Sequence, residues 1–160
     1  MIEEFFAITV AIILLSSATR GAPYIPSKKE DVKKMIKLAA IKPGDRVVDL
    51  GSGDGRLLIA LAQAGAKEAR GYEINPVLVL LARRNIRRAK LSNRVFAHWG
   101  DFWGKNFSQF QVITVFGMPH MMAELERKLR AELVPGARVV SNKFAFPNWN
   151  PVTTDEEVRL

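Results

Sequence analysis

A glycine-rich segment near residue 50 has the composition of a turn that binds a nucleotide-type ligand. Residues 47–57 read VVDLGSGDGRL, so an apolar strand carries Asp49 near its end and then enters a turn. The small residues of this turn are Gly51, Ser52, Gly53 and Gly55. Glycines let the backbone approach a ligand closely, and the free amides at the start of the next helix favour a negative group such as a carboxylate. An ordinary strand-to-helix turn is the alternative, and the spacing G-x-G-x-G disfavours an NAD enzyme, which would use G-x-G-x-x-G.

Acidic residues also follow the next two apolar stretches. Glu73 lies in GYEINP, twenty-four residues after Asp49, where a carboxylate can accept hydrogen bonds from both hydroxyls of a ribose. Asp101 and Phe102 come after the third stretch and would offer a carboxylate and an aromatic plane to an adenine. The alternatives are a solvated acid at the end of a strand for Glu73 and a helix cap for Asp101. Together these residues predict a site for a nucleoside-containing ligand.

The elements that must position these residues alternate between strands and helices. Ser27 and Glu30 form a predicted capping box, which would start a first helix. At the other end of the sequence, residues 151–160 predict a final hairpin. The predicted strands are 46–50, 69–74, 94–98, 111–116 and 138–146, and the predicted later helices are 56–64, 76–90 and 119–133. Such alternation predicts an α/β fold with a doubly wound, mostly parallel sheet covered by helices on both faces. The carboxyl ends of its strands would bring the acidic residues together.

Composition limits the chain to few classes of protein. Its 160 residues suit one compact domain, and 24 Lys plus Arg against 16 Asp plus Glu give a net charge of +8. This charge is compatible with nucleic acid, anionic lipid or an acidic partner. With no cysteine and only two histidines, a metal centre is not expected.

The first segment differs from the rest. Residues 5–18 contain fourteen uncharged residues, about 21 Å of helix, which is short of the roughly 30 Å hydrocarbon core of a bilayer. We expect residues 1–20 to be a membrane anchor ahead of a domain at 21–160; a helix packed on the domain or a partner, and a signal peptide, are the alternatives. Glu3 and Glu4 precede this run and Arg20, Lys28 and Lys29 follow it, so the positive-inside rule predicts a membrane-associated domain on the cytoplasmic side.

The motifs resemble those of class I S-adenosylmethionine-dependent methyltransferases in their order: DLGSGDG, the glutamate of GYEINP and the aspartate of GDF. Tyr24 to Ser27 and the block LVPGARVVSNKFAFPNW are also similar to the lysine methyltransferases of the mitochondrial adenine nucleotide translocase and of the ATP synthase c-subunit, and to small archaeal protein lysine methyltransferases. The resemblance spans residues 22–154. It departs at FGMPHMM after the fourth strand, so His120 inherits no role, and at Leu160, where relatives continue a last strand.

The resemblance implies a Rossmann-like methyltransferase sheet, S-adenosyl-L-methionine as cofactor and a lysine side chain of a protein as acceptor, membrane proteins included. It places the cofactor against Asp49, Gly51, Ser52, Gly53, Gly55, Glu73, Asn75, Asp101 and Phe102. Methyl transfer requires a neutral amine, and an apolar, aromatic pocket lowers the pKa of a lysine without a dedicated base. Candidates for lining that pocket are Tyr24, Phe116, Met118, Phe144 and Trp149. Tyr24 is expected to act in catalysis, as is Asn142, whose amide carbonyl would orient the amine.

Three alternatives remain at this point. A nucleic-acid methyltransferase would use the same cofactor site and the net charge of +8, although the N-P-P-Y-like motif of amino-group base methylation is absent. Small-molecule methylation and a non-catalytic module that binds the cofactor at a membrane are the others. The basic face of the predicted helix at 76–90 is interpreted as solvated surface. Contact with a membrane or with an acidic partner is the alternative interpretation of this face.

Overall fold

The computed structural model describes residues 27–155 and 158–160, so the predicted anchor at residues 1–20 and Tyr24 lie outside the described part. Four helices fall in these ranges: α1 (Lys29–Ala39), α2 (Arg56–Gln63), α3 (Pro76–Arg88) and α4 (Pro119–Glu132). The strands are β1 (Arg46–Leu50), β2 (Glu68–Glu73), β3 (Val95–Trp99), β4 (Val112–Val115), β5 (Arg138–Asn142), β6 (Thr154–Asp155) and β7 (Val158–Arg159).

The strands form one sheet in the order β3-β2-β1-β4-β5-β7-β6. Strands β1 to β5 run parallel, whereas β7 is antiparallel to both of its neighbours. Strand order reverses between β1 and β4, and open α/β sheets bind ligands at the carboxyl ends of strands beside such a reversal. The doubly wound α/β prediction is therefore confirmed for the described residues.

Two apolar clusters hold helices against opposite faces of the sheet. One contains Met35 of α1 and Leu58 of α2 and packs on strand residues such as Val47. The other contains Leu125 of α4 and packs on residues such as Val48, the next residue along β1. Successive side chains of a strand point to opposite faces, so a continuous apolar run in β1 buries both sides of the sheet.

The predicted capping box at the start of α1 is wrong. The N-cap residue is Lys28, and no side chain caps the helix. Ser27 instead lies before the cap, where its carbonyl accepts a 2.9 Å hydrogen bond from Nη1 of Arg56. The helix therefore starts one residue later than the motif predicts.

Strand β5 is shorter than predicted. It ends at Asn142 because Lys143 adopts a left-handed conformation with φ of 74° and turns the chain away from the sheet. The predicted terminal hairpin is present in short form, with Thr154 opposite Arg159 and Asp155 opposite Val158 in the antiparallel pair of β6 and β7. None of the helices in residues 27–155 and 158–160 has both the length and the apolar character that crossing a membrane requires.

Candidate functional site

The glycine turn after β1 depends on three left-handed residues. Gly51, Gly53 and Gly55 have φ angles of 81°, 52° and 80°, a region that residues with a Cβ adopt at a cost. The amides of Gly51 and Ser52 both donate to the carbonyl of Tyr72, at 3.0 and 3.1 Å, which fixes the turn on the end of β2. The turn therefore rests on the neighbouring strand while α2 begins beyond it.

The carboxylate of Glu73 binds the glycine turn and the N-cap residue of α3. Its Oε2 accepts a 3.0 Å hydrogen bond from the amide of Gly53, and its Oε1 accepts one of 2.9 Å from the amide of Asn75. The structure thus brings Glu73 and the glycine turn together, as the sequence predicts. Asn75 is buried, and its Oδ1 accepts from the amides of Val77 and Leu78 at 3.0 and 3.4 Å, so its side chain caps α3.

Asp49 lies beneath the turn as a buried carboxyl, only 4% exposed. Its Oδ1 accepts a 2.7 Å hydrogen bond from the hydroxyl of Thr114, its register partner on β4. Burial raises the pKa of Asp49 from 3.8 to about 7; the bond from Thr114 lowers it and the charge of Glu73 raises it. Sequence reasoning missed Thr114, although a hydroxyl within the otherwise aliphatic strand VITV was a signal that could have identified it.

Gly71 is a second residue that the sequence interpretation missed. A Cβ at this position of β2 would lie 2.5 Å from the Ser52 hydroxyl and 2.5 Å from Cδ1 of Leu58. The Ser52 Oγ is buried and has no hydrogen-bond partner among the described residues. Only a glycine in β2 therefore lets the glycine turn and α2 pack this closely against the sheet.

The loop after β3 lies beside Glu73. The amide of Gly100 donates to the carbonyl of Glu73 at 2.9 Å, which ties the start of the loop to the end of β2. Asp101 is exposed, and its Oδ1 accepts a 2.9 Å bond from the amide of Trp103. The ring of Phe102 is half-buried and packs on Trp103 with centroids 4.9 Å apart. The predicted adenine contacts of Asp101 and Phe102 stay predictions, but both residues lie at the expected edge of the sheet.

An aromatic pair lies at the carboxyl ends of β4 and β5. The rings of Phe116 and Phe144 are edge to face, with centroids 6.3 Å apart. The left-handed Lys143 and a 2.5 Å bond from the Ser141 hydroxyl to the Phe144 carbonyl direct the chain to this position. Asn142 ends β5 and is only 2% exposed.

Trp149 and Met118 are also predicted to line the acceptor pocket. Trp149 packs edge to face on Phe146 with centroids 5.1 Å apart, and the guanidinium of Arg130 lies 4.8 Å from its ring. Met118 is half-buried and is the N-cap residue of α4. Within residues 27–155 and 158–160, no group of three or more His, Asp or Glu side chains is placed to hold a metal ion.

Comparison with known proteins agrees with this geometry. The family model described as the ANTKMT methyltransferase domain matches residues 49–153. The adenine nucleotide translocase lysine N-methyltransferase of Mus musculus is 44% identical over 130 residues, which cover 81% of this chain and 56% of the mouse protein. The lysine N-methyltransferase of the ATP synthase c-subunit from Xenopus laevis is 42% identical over 129 residues, again 81% of this chain and 56% of the relative. The chain thus spans little more than half the length of these two curated relatives.

Two shorter relatives are covered more fully. A protein-lysine N-methyltransferase of Saccharolobus islandicus is 37% identical over 130 residues, 81% of each chain. A solved structure of an RNA methyltransferase from Salinibacter ruber with S-adenosyl-L-homocysteine superposes with a TM-score of 0.79 and 35% identity, over 82% of this chain and 86% of that chain. With the glycine turn, the Glu73 contacts and the strand order already in agreement, the chain belongs to the ANTKMT methyltransferase-domain family.

Proposed function

We propose that the protein is an S-adenosylmethionine-dependent protein lysine N-methyltransferase. The observation that carries this proposal is the carboxylate of Glu73, which joins the glycine turn at Gly53 to the start of α3 through both of its oxygens. The lysine methyltransferases among the relatives support the acceptor class. The cofactor and the acceptor are each open to direct test.

The residues at this site fit the cofactor chemically. Each carboxylate oxygen of Glu73 accepts one backbone amide and keeps a further lone pair, enough for the two hydroxyls of a ribose. A Cβ at Gly51 would meet no atom within 4 Å, so the space above the turn is open to a ligand. When bound, S-adenosylmethionine supplies an electrophilic methyl group on a sulfonium.

The acceptor amine must be neutral before it attacks. A free lysine with a pKa near 10.4 is about one part in a thousand neutral at pH 7.4, and reaching neutrality costs about 4 kcal/mol. Phe116 and Phe144 would offer apolar surface to an amine at the carboxyl ends of β4 and β5, and burial against such a surface lowers the pKa of a lysine. The chain's part in the reaction is then desolvation and alignment, with the buried Asn142 beside Phe144 proposed to orient the amine through its carbonyl.

Labelled cofactor tests this function directly. The protein is incubated with methyl-labelled S-adenosylmethionine and a membrane extract, and the labelled product is digested and analysed by mass spectrometry. Methyl on a lysine side chain supports the proposal, whereas methyl only on RNA or on a carboxylate contradicts it.

Tyr24→Ala should lower turnover more than cofactor affinity, because a residue ahead of the first helix is proposed to close over the acceptor.

RNA methylation is the second candidate. The Salinibacter ruber relative is described as an RNA methyltransferase, and the net charge of +8 would favour a polyanion. The same labelling reaction separates the two, because nuclease treatment removes label from RNA and protease treatment removes it from protein.

We further propose that residues 1–20 tether the domain to a membrane, with the domain on the cytoplasmic side. The support is the uncharged run at residues 5–18 and the cations that follow it. A variant of the chain carrying Ile13→Lys and Leu14→Lys should be released from membranes by a high-salt wash that leaves the parent bound, and it should still methylate a soluble lysine peptide. Retention of that variant through the high-salt wash would contradict a tether formed by this run.

A further inference from the structure

Exposed apolar side chains gather at one corner of the described domain. Six large apolar residues of the described ranges are exposed, and four of them belong to this corner: Val77, Leu80, Leu81 and Trp99. The three aliphatic residues recur at spacings of three and four on α3, so they share one face of the helix. The Trp99 indole donates a 3.1 Å bond to the carbonyl of Ile74, which holds the ring beside the loop into α3. Leu80 is 65% exposed and Trp99 is 69% exposed, so the corner faces solvent.

The same face of α3 continues into arginines. Arg84, Arg87 and Arg88 are exposed and lie one and two turns beyond the aliphatic residues. The helix sequence PVLVLLARRNIRR contains no acidic residue. Of the ion pairs formed within residues 27–155 and 158–160, none includes these three arginines. We call Val77, Leu80, Leu81, Trp99, Arg84, Arg87 and Arg88 the α3 face.

A groove of about 510 Å³ runs between α3 and β3, next to this face. Leu80 and Arg87 line it from the helix, and Phe96 lines it from the strand. Arg83 also lines it, and its Nε donates a 3.0 Å bond to the carbonyl of Ala97. The groove therefore combines apolar walls with guanidinium groups that can bind an anion.

We propose that the α3 face is a docking surface for an anionic lipid bilayer. Aliphatic side chains and a tryptophan with its polar end satisfied suit the boundary between headgroups and acyl chains. Guanidinium groups bind lipid phosphates in bidentate fashion, and each cation near an anionic leaflet adds to the attraction. The α3 face supplies both kinds of contact, from one side of α3 and from Trp99 at the end of β3.

Charge and composition favour lipid over other occupants. A second copy of the chain would bury the arginines without an acidic partner, because α3 itself contains no acidic residue. Single-stranded RNA would use the arginines and Trp99, but it would gain little from three exposed aliphatic side chains. A bilayer is the partner that uses the aliphatic residues and the arginines together.

Docking on this surface would also orient the domain. The amino end of α3 lies at the edge of the sheet where Glu73 and the glycine turn meet. A bilayer against Leu80 and Trp99 would therefore lie near the edge that carries the candidate cofactor site.

The sequence has no cysteine, so one introduced cysteine can carry a fluorescent probe at a single chosen position. Such a probe tests the proposal. Leu80→Cys in the full chain is labelled with an environment-sensitive dye, and Lys42→Cys, on an exposed loop before β1, is the matched control. On vesicles that contain phosphatidylglycerol, the Leu80 probe should shift to the blue and the control should not. An equal response of both probes would overturn the proposal, as would a shift of the Leu80 probe with RNA alone or with rising protein concentration alone.

Charge reversal provides an independent measurement that needs no turnover. The full chain with Arg84→Glu, Arg87→Glu and Arg88→Glu is compared with Lys42→Glu, Lys67→Glu and Arg127→Glu, which changes the net charge equally at other exposed positions. Both variants keep residues 1–20, so any tether contributes equally. The α3 variant should lose about tenfold or more in binding to vesicles that contain phosphatidylglycerol, relative to the control variant. Equal binding of the two variants would overturn the proposal.

Discussion

The hydroxyl of Thr114 donates a 2.7 Å hydrogen bond to the carboxyl of Asp49, sixty-five residues earlier in the chain. The bond crosses from β4 to β1, where the strand order reverses. It stabilises a carboxylate directly beneath the glycine turn, in a place where burial alone would favour the protonated form. The charge state of Asp49 thus depends on a residue that belongs to none of the sequence motifs.

Thr114→Val should raise the pKa of Asp49 above its value of about 7, because the bond that stabilises the carboxylate is lost. Valine has a similar shape, so packing between β1 and β4 is kept. Carboxyl NMR titration of the folded protein measures the change. Thr114→Ser keeps the hydroxyl and should leave the pKa near that of the parent; a pKa unchanged in the valine variant would show that the bond does not control ionisation.

Asp49→Asn should stabilise the fold at pH 8 and give no gain at pH 4. Because burial raises the pKa of Asp49 to about 7, the folded protein keeps a proton that the unfolded chain releases near pH 4. The free energy of unfolding therefore falls as the pH rises from about 4 to about 7, by up to about 4 kcal/mol for roughly three pK units. Asparagine avoids that loss, and we expect a gain on the order of 2 kcal/mol at pH 8 in urea unfolding. An equal gain at both pH values would contradict this assignment.

Glu73→Ala should weaken S-adenosylmethionine binding roughly 10- to 150-fold, the equivalent of about 1.5 to 3 kcal/mol for a charged hydrogen-bond partner. Calorimetry on folded protein measures the dissociation constant. Glu68→Ala is the matched control, since Glu68 lies at the other end of β2 and pairs with Arg46 and Arg70. The control should bind the cofactor as the parent does. Unchanged affinity in the Glu73 variant would mean that the cofactor site lies elsewhere.

Gly71→Ala should destabilise the protein by about 1 to 3 kcal/mol, the usual range for overpacking. The added Cβ would lie 2.5 Å from both Ser52 and Leu58, in a place with no free space. Gly104→Ala is the control, because a Cβ there meets nothing within 4 Å. Chemical denaturation should separate the two variants clearly. Similar stability of both would mean that the glycine turn can shift without cost.

The parts of the site that the sequence predicts are those encoded locally. The turn from β1 to α2 and the position of Glu73 follow from short motifs, since each motif lies within one strand and the turn after it. Thr114 and Gly71 were missed because their roles depend on register between strands that are distant in sequence. Ser27 was misassigned for a related reason: its carbonyl is used by Arg56, twenty-nine residues away. The role of Tyr24 and the anchor at residues 1–20 stay predictions.

The two-residue strand β7 has a consequence for how the protein is made. It lies between β5 and β6 in the sheet, and Val158 is buried there with 1% exposure. Until residues 158–159 leave the ribosome, β5 has one unpaired edge, and unpaired edges invite association with other chains. During synthesis, β5 is therefore expected to keep an association-prone edge until these two residues emerge.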